Sequence, residues 1–384
     1  MTKHKNQNSY QRVLDYLSPI FIDEVHLKRI ESLTTAVYGT IQSGSIAIAS
    51  IGKALGIFRG LNVKHAMKQV DRMFSNPGID LKTIFPIWIK HLVGIRKEIV
   101  VALDWTDFAK DDQTTIALHL VTKGGRTAPL IWKTVVKSGL KDKQNDYEDE
   151  LLSEFKDALS EDVQVTLIAD RGFCGVAFFG FLNELGFKFI IRSRNNIYVT
   201  HKGEKKLSKD WLFATGKSRL LKDVEITNEG YSLSAFVCVH DKKMQHPWFL
   251  FSSLEVSKAT EIVKLYGRRF TIEESFRDIK DMRYGMGLST IKVSKPIRRD
   301  RMLLVCTLAF PLLTLLGAAG EAIGMDRMLK VNTSKARTHS LLNQGCYYFS
   351  ALMHMDKEKM KELLDKFNEL LSEQKALTTA LGWT

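Results

Sequence analysis

Two aspartates follow short apolar runs of strand type: Asp104 comes after Ile-Val-Val-Ala-Leu, and Asp170 after Val-Thr-Leu-Ile-Ala. A carboxylate at the end of a buried strand is held rigidly and faces the crevice where open α/β sheets place their ligands. Two such carboxylates brought together repel each other unless a divalent cation lies between them. Ligands that are Asp and Glu oxygens alone suit Mg2+ or Mn2+. Either residue taken singly reads as a cap on a turn or on the next helix; the pair, in this strand order, favours a site.

The segment from Tyr266 to Lys280, Tyr-Gly-Arg-Arg-Phe-Thr-Ile-Glu-Glu-Ser-Phe-Arg-Asp-Ile-Lys, is the most informative stretch. Glu273 and Lys280 are seven apart and share a helix face. If the helix runs unbroken from Leu265, Tyr266 and Arg269 join that face beside the apolar stripe Leu265, Ile272, Phe276 and Ile279. A carboxylate set among Tyr, Arg and Lys next to a core is costly unless those groups have work to do; a metal for the Glu and phosphates for the cations would supply it. A salt-bridged surface helix is the bland reading of a lone Glu–Lys pair. A second geometry starts the helix at Thr271, where Thr271-Ile-Glu-Glu274 has the form of a capping box with Glu274 reaching back to the Thr271 N–H. Adjacent helical residues point about 100° apart, so Glu273 and Glu274 cannot both enter one metal site. On either geometry it is Glu273 that shares a face with Lys280.

These residues resemble the DDE transposases of bacterial insertion sequences that carry a Tyr-(2)-Arg-(3)-Glu-(6)-Lys signature. Here the signature is Tyr266, Arg269, Glu273 and Lys280 with every spacing kept, and Asp104 in Leu-Asp-Trp-Thr-Asp and Asp170 in Ala-Asp-Arg-Gly-Phe match the two aspartates. The resemblance covers about 99–287 and implies an RNase H-like catalytic domain interrupted by a β-rich insertion. It also implies two divalent cations held by Asp104, Asp170 and Glu273, with Arg269 and Lys280 on phosphates and Tyr266 orienting them through its hydroxyl. Members cut DNA at element ends through hairpin intermediates and join them to a target. Trp248, in His-Pro-Trp-Phe-Leu-Phe, resembles the insertion-domain tryptophan that stacks on a flipped base; a strand-core Trp is the other reading. Trp211 is a weaker candidate for the same role.

Elements that could position such a site are legible. Residues 98–194 read as three strands, a helix, then strand–helix–strand: 99–104, 114–121 and 129–136, with Lys123-Gly-Gly-Arg126 as a hairpin turn, then a helix over 146–159, strands over 164–170 and 187–193, and a helix over 175–185 between them. That makes an α/β core covered on both faces. Residues 195–250 hold short alternating runs and many lysines, a β-rich insertion. The catalytic part resumes over 251–290, and 291–384 is helical, its last helix carrying Met360, Leu363, Leu364, Phe367, Leu370 and Leu371 on one core-facing stripe. Residues 1–97 show helical spacing in 10–21, 26–42, 45–58 and 63–74. They hold fourteen Lys/Arg against six Asp/Glu, so they carry +8 of the formal +13. Basic helices joined by tight turns suit a helix-turn-helix reader of duplex DNA, although a solvated helical bundle has the same composition.

Composition bounds the rest. The 384 residues are 45% hydrophobic and 26% charged, which excludes wholesale disorder. The basic excess points to nucleic acid or an anionic membrane surface. Cys174, Cys238, Cys306 and Cys346 form no CxxC pair, which excludes a zinc ribbon and places the chain in a reducing compartment. No histidine sits at metal-ligand spacing, and no GxSxG or Walker motif occurs. The polar start lacks a secretory h-region, and the uncharged run 302–320 reads as a buried helix interrupted by Pro311 rather than a span. The run Lys292, Lys295, Arg298, Arg299 and Arg301 could track a DNA backbone or form a solvated turn, and Asp107, Asp111 and Asp112 read as surface residues. The expected protein is a cytoplasmic, nucleoid-associated enzyme that acts on double-stranded DNA as a homodimer, without a membrane. A DNA-binding regulator or inhibitor of transposition lacking cleavage is the alternative.

Overall fold

The computed structural model describes residues 2–122, 126–213, 215–242, 244–282, 286–334, 337–352 and 354–372. Five helices precede the first strand: α1 (Thr2–Phe21), α2 (Leu27–Ser43), α3 (Ile48–Arg59), α4 (Val63–Ser75) and α5 (Leu81–Val93). Local chemistry sets their ends. The Asn62 and Asp80 side chains accept backbone N–H groups at the starts of α4 and α5, while Gly44 and Gly60 close α2 and α3 at φ of 59° and 67°.

The strand periodicity of 98–192 resolves into β1 (Glu98–Phe108), β2 (Gln113–Val121), β3 (Thr127–Val136), β4 (Gln164–Ala169) and β5 (Lys188–Arg192), with α6 (Gln144–Asp157) after β3 and α7 (Val176–Glu184) after β4. β1 pairs antiparallel with β2 and parallel with β4, giving the order β3-β2-β1-β4-β5 of an RNase H-like core. The β2–β3 pair is the expected hairpin; its turn residues 123–125 lie outside the described residues.

The β-rich stretch comprises β6 (Tyr198–His201), β7 (Glu204–Leu207), β8 (Arg219–Ile226), β9 (Tyr231–Val239) and β10 (Trp248–Ser252). These strands form no second sheet. β10 pairs antiparallel with β5, and the order continues as β10-β9-β8-β6-β7 in one ten-stranded sheet. Trp211 is buried in this extension, its indole N–H donating to Val199 O at 3.2 Å, with Arg219 and Lys206 over the ring. It packs a core and offers no face to a base.

Side-chain alternation divides the sheet's two faces. On one lie α6, where Glu148 accepts the Trp105 indole N–H at 2.9 Å, and α7, where Phe179 stacks on Phe189 at 4.9 Å. The other is covered by α8 (Ala259–Gly267), α9 (Phe270–Lys280) and α10 (Pro296–Ala322), with Phe276 against His119 at 5.0 Å and Trp132 donating to Asp300 O at 3.2 Å. α10 continues through Pro311, and its most apolar window is 89% buried inside the protein, as a core helix requires. Among the described residues it is the one unbroken helix long and apolar enough to cross a membrane. α11 (Leu341–Ala351) crosses α10 so closely that a Cβ on Gly317 would fall 1.8 Å from Leu341 O. α12 (Lys357–Ser372) buries Leu363 against Leu316, Ala319 and Tyr348, in keeping with the core-facing stripe.

The first turn of α10 corrects two expectations. Arg299 is fully buried, bonded to Asp111 and, at 2.6 Å, to Gln113 Oε1, with Phe108 beneath its guanidinium at 3.8 Å. Arg301 is buried on the carbonyls of Phe74 and Ile79, and Arg298 bonds Asp71 and Ser75 of α4. A buried guanidinium must be matched by acceptors inside the fold, so Arg299 and Arg301 track no DNA backbone; Lys292 and Lys295 of the run are exposed. Asp111 is no surface residue either, its side chain being 5% exposed against Arg299. Asp107 and Asp112 are exposed as expected.

Candidate active site

Leu103 pairs with Ala169 in the parallel β1–β4 ladder, so the residues that follow, Asp104 and Asp170, emerge side by side on the face covered by α9. β4 ends there. Asp170 caps a short turn, its Oδ1 accepting the Gly172 N–H at 2.6 Å. β1 does not end at Asp104, contrary to expectation: it runs to Phe108, paired with β2 from Asp104↔Ala117 to Phe108↔Gln113. Asp104 is instead the point where β1 loses its β4 neighbour and keeps β2, which opens the cleft on one side only. The Trp105 N–H donates to Asp104 Oδ1 at 2.9 Å.

α8 and α9 form an almost continuous rod. Arg268 and Arg269 stay in the right-handed helical region, and the junction is tightened by bonds of Arg269 N to Tyr266 O and Thr271 N to Arg268 O. Because the backbone never leaves the helix at Thr271, no orphan N–H is there to be capped, and the Thr271–Glu274 capping box is not formed. Glu274 pairs with Arg277 and, at 3.5 Å, with Arg126.

The rod delivers the predicted residues to the two aspartates. Arg269, its side chain 7% exposed, places Nη1 3.3 Å from Asp104 Oδ2 and bonds Glu273 through Nη2. Lys280 extends to the far part of β1, donating to Asp107 O at 2.7 Å and Thr106 Oγ1 at 3.1 Å. Tyr266 is fully buried, and Trp248, at the start of β10 on the same sheet face, meets its ring edge-on at 5.0 Å. The cleft in front, about 640 Å³, is lined by Asp104, Trp105, Thr106, Glu273, Lys280 and Ser289 among others.

A family model described as Transposase DDE domain matches residues 95–309, more than half of the chain. The chain belongs to the DDE transposase family. The matched span opens just before β1 and closes within α10, so it holds Asp104, Asp170 and the whole of 266–280. No curated protein matches the chain. Transposases of this family act on DNA and generally use divalent metals.

Burial drives the carboxyl of Asp104 in this transposase up to about 6; Arg269 opposes that rise, and the negative charges of Asp170 and Glu273 reinforce it. The pocket thus concentrates negative charge on hard oxygen donors, the chemistry that suits a divalent cation. The donor set fits a metal, but it is not closed around one. Among the described residues no three His, Cys, Asp or Glu side chains converge on a common point, and the Arg269 guanidinium is the cation that bridges Asp104 to Glu273. The Glu273 side chain is 51% exposed and has room to turn.

Phosphate-binding chemistry is also present. Arg269 Nε is a buried donor without an acceptor, and the buried Tyr266 hydroxyl has the Arg269 guanidinium as its polar neighbour. Burial raises the Tyr266 pKa, which keeps its hydroxyl a donor, and lowers that of Lys280. Sequence reasoning missed Thr106, which steadies Lys280 from two residues beyond Asp104 on the same strand face, a signal the β alternation carried. It also missed Phe270, next to Arg269, whose ring stacks on Trp248 at 5.7 Å and 28° and is 38% exposed. Glu148, which holds Trp105 from the opposite face of the sheet, had no signal in sequence because the contact comes from a distant helix.

Proposed function

We infer that the chain is the transposase of an insertion sequence of the Tyr-(2)-Arg-(3)-Glu-(6)-Lys kind. It binds the ends of its own element in double-stranded DNA and catalyses strand cleavage and strand transfer by a cut-and-paste route. The observation that carries this is the buried Arg269 guanidinium, which joins Asp104 and Glu273 at an open cleft while its Nε has no acceptor. A buried donor without an acceptor is costly, and a phosphate oxygen of bound DNA supplies that acceptor.

Asp104, Asp170 and Glu273 would hold two Mg2+ ions, or Mn2+ in their place. When bound, such ions supply an activated water or 3′-hydroxyl and stabilise the leaving oxygen of an in-line phosphoryl transfer. The chain's own residues do the positioning. Arg269 turns from Asp104 and Glu273 to a scissile-strand phosphate, Tyr266 donates to the same phosphate, and Lys280, braced by Thr106, holds a second. Trp248 stacks on a base flipped out as a hairpin forms, with Phe270 backing its ring. Residues 1–97 bind the element end; 98–194 and 251–290 form the catalytic unit interrupted by 195–250; 291–384 complete the core. Joining two ends requires two active sites, so the working form is a homodimer on DNA, at the nucleoid in the cytoplasm.

The test is incubation of the purified chain with duplexes carrying its element ends and Mg2+, resolved on a denaturing gel. Nicked, hairpin and joined products are expected. Tight binding without cleavage in Mg2+ or Mn2+ would establish the regulator reading instead.

A further inference from the structure

We propose that α2, α3 and α4 form a tri-helical reading head and that its third helix, α4, enters the major groove of duplex DNA, with Gln69 and Arg72 on base edges and Lys64 and Lys68 on phosphates. This rests on the reading that residues 1–97 bind DNA, and deepens it by naming the surface.

The geometry carries the argument. α2 and α3 meet at 92° across a short break, and α3 passes to α4 through a three-residue turn opened by Gly60 at φ 67°. α3 and α4 thus lie side by side, Gly52 against Met67 and Gly56 against Val63, with α2 crossing in front of α3, an order shared with tri-helical DNA readers whose last helix enters the major groove. α3 and α4 are in such close contact that a Cβ on Gly52 would fall 2.9 Å from the Met67 backbone N, so α4 has one fixed pose against its support. α4 buries Ala66, Val70, Met73 and Phe74 and exposes Lys64, His65, Lys68, Gln69 and Arg72. Lys64, Lys68 and Arg72 follow one another at i, i+4 and i+8, a row about 12 Å long, comparable to the width of a B-DNA major groove.

Charge identifies the occupant as a polyanion. The only acid on α4, Asp71, is already bonded to Arg298 of α10, so the exposed row is purely cationic and polar. The first turns of α2 add exposed Lys28 and Arg29 beside it, and a concavity of about 620 Å³ between the two helices is lined by Ser32, His65, Lys68, Gln69, Arg72 and Asn76. The mixture decides for duplex DNA. A surface for charge alone needs only lysines, whereas Gln and Arg at adjacent rows match the bidentate edges of adenine and guanine.

The experiment uses the full chain and a duplex library with twenty randomised base pairs, followed by anisotropy titrations on the selected duplex and on a mixed-sequence duplex. Wild-type protein should enrich one motif. Lys68→Ala should weaken both duplexes alike, by about tenfold, and flatten the salt dependence by about one phosphate contact. Gln69→Ala and Arg72→Ala should lose preference at one or two neighbouring base pairs, by about tenfold or more, with mixed-sequence affinity nearly kept. Gln69→Arg should shift the preferred base at its position towards guanine, a change that no merely structural role produces. The three substituted residues are exposed, and unchanged melting temperatures confirm the fold. An unaltered motif and affinity in every variant overturns the assignment to α4. So does equal loss on all sequences with comparable binding to heparin, which would leave a general polyanion surface. Wild-type protein that binds no duplex at all would instead overturn the reading of residues 1–97 on which the assignment rests.

Discussion

Arg269 Nη1 lies 3.3 Å from Asp104 Oδ2, and the same guanidinium bonds Glu273, so one cation of the signature joins two of its three candidate metal carboxylates. The arrangement satisfies the negative charge of the pocket in the free protein, and in the function proposed above Arg269 exchanges these carboxylates for a phosphate.

Asp104→Ala and Asp170→Ala are each expected to abolish cleavage of end DNA while leaving duplex binding intact, because the basic helices before residue 98 lie outside this pocket. Gel-shift and cleavage assays on the same preparations check it. Asp104→Asn should also be inactive yet melt at or above the wild-type temperature, since ionisation of this buried carboxyl is already disfavoured in the fold. Cleavage at the wild-type rate would remove the residue from the site.

Glu273→Gln is expected to eliminate metal-dependent cleavage, whereas Glu274→Gln should keep most of it. Glu274 points to Arg126 and Arg277 at a partly exposed position, so its loss should cost less than about 1 kcal/mol of stability. An inactive Glu274 variant beside an active Glu273 variant reverses the assignment.

Trp248→Ala should nick the first strand and then accumulate nicked DNA, because a flipped base loses stacking of about 1–3 kcal/mol. Phe270→Ala, which removes the ring behind Trp248, should show a weaker defect of the same kind. Normal hairpin yield in Trp248→Ala would assign the residue to packing alone.

Arg299→Ala should lower the melting temperature sharply, leaving Asp111 buried and unpaired at a cost of about 3–5 kcal/mol. Its DNA affinity, measured below the melting transition, should match wild type. Weaker binding at intact stability would return Arg299 to the DNA surface.

Asp300 is expected to make stability fall as pH rises. Burial pushes its carboxyl up to about 7, against the opposing effects of the Thr134 hydrogen bonds and of Arg299 and Lys133. Between about pH 4 and 7 the native state therefore holds a proton that the unfolded state has released, and each unit costs about 1.4 kcal/mol. Urea melts of wild type and Asp300→Asn across that range should diverge as pH rises, with the wild type losing ground. Parallel curves would show that Asp300 is ionised in the fold.

The sequence by itself determined what local rules govern. Helix and strand periods gave α1 to α4 and the order of elements from β1 to β5, though not α5, and the fixed spacing of Glu273 and Lys280 gave a shared helix face, because 3.6-residue and two-residue periods are properties of the chain alone. Asp170 at a strand end was legible for the same reason. Tertiary structure decided everything that depends on a distant partner. Strand register, Leu103 on Ala169, set Asp104 beside Asp170. Pairing of β10 with β5 merged the β-rich stretch into the core sheet, buried Trp211 and left Trp248 beside the signature. Which cations face solvent was equally beyond local reading: Arg299 is neutralised by Asp111, 188 residues away, while Lys292 and Lys295 just before it stay exposed. A charge carries no local mark of its burial; that is fixed only when the chain's long-range packing brings an opposite charge to it.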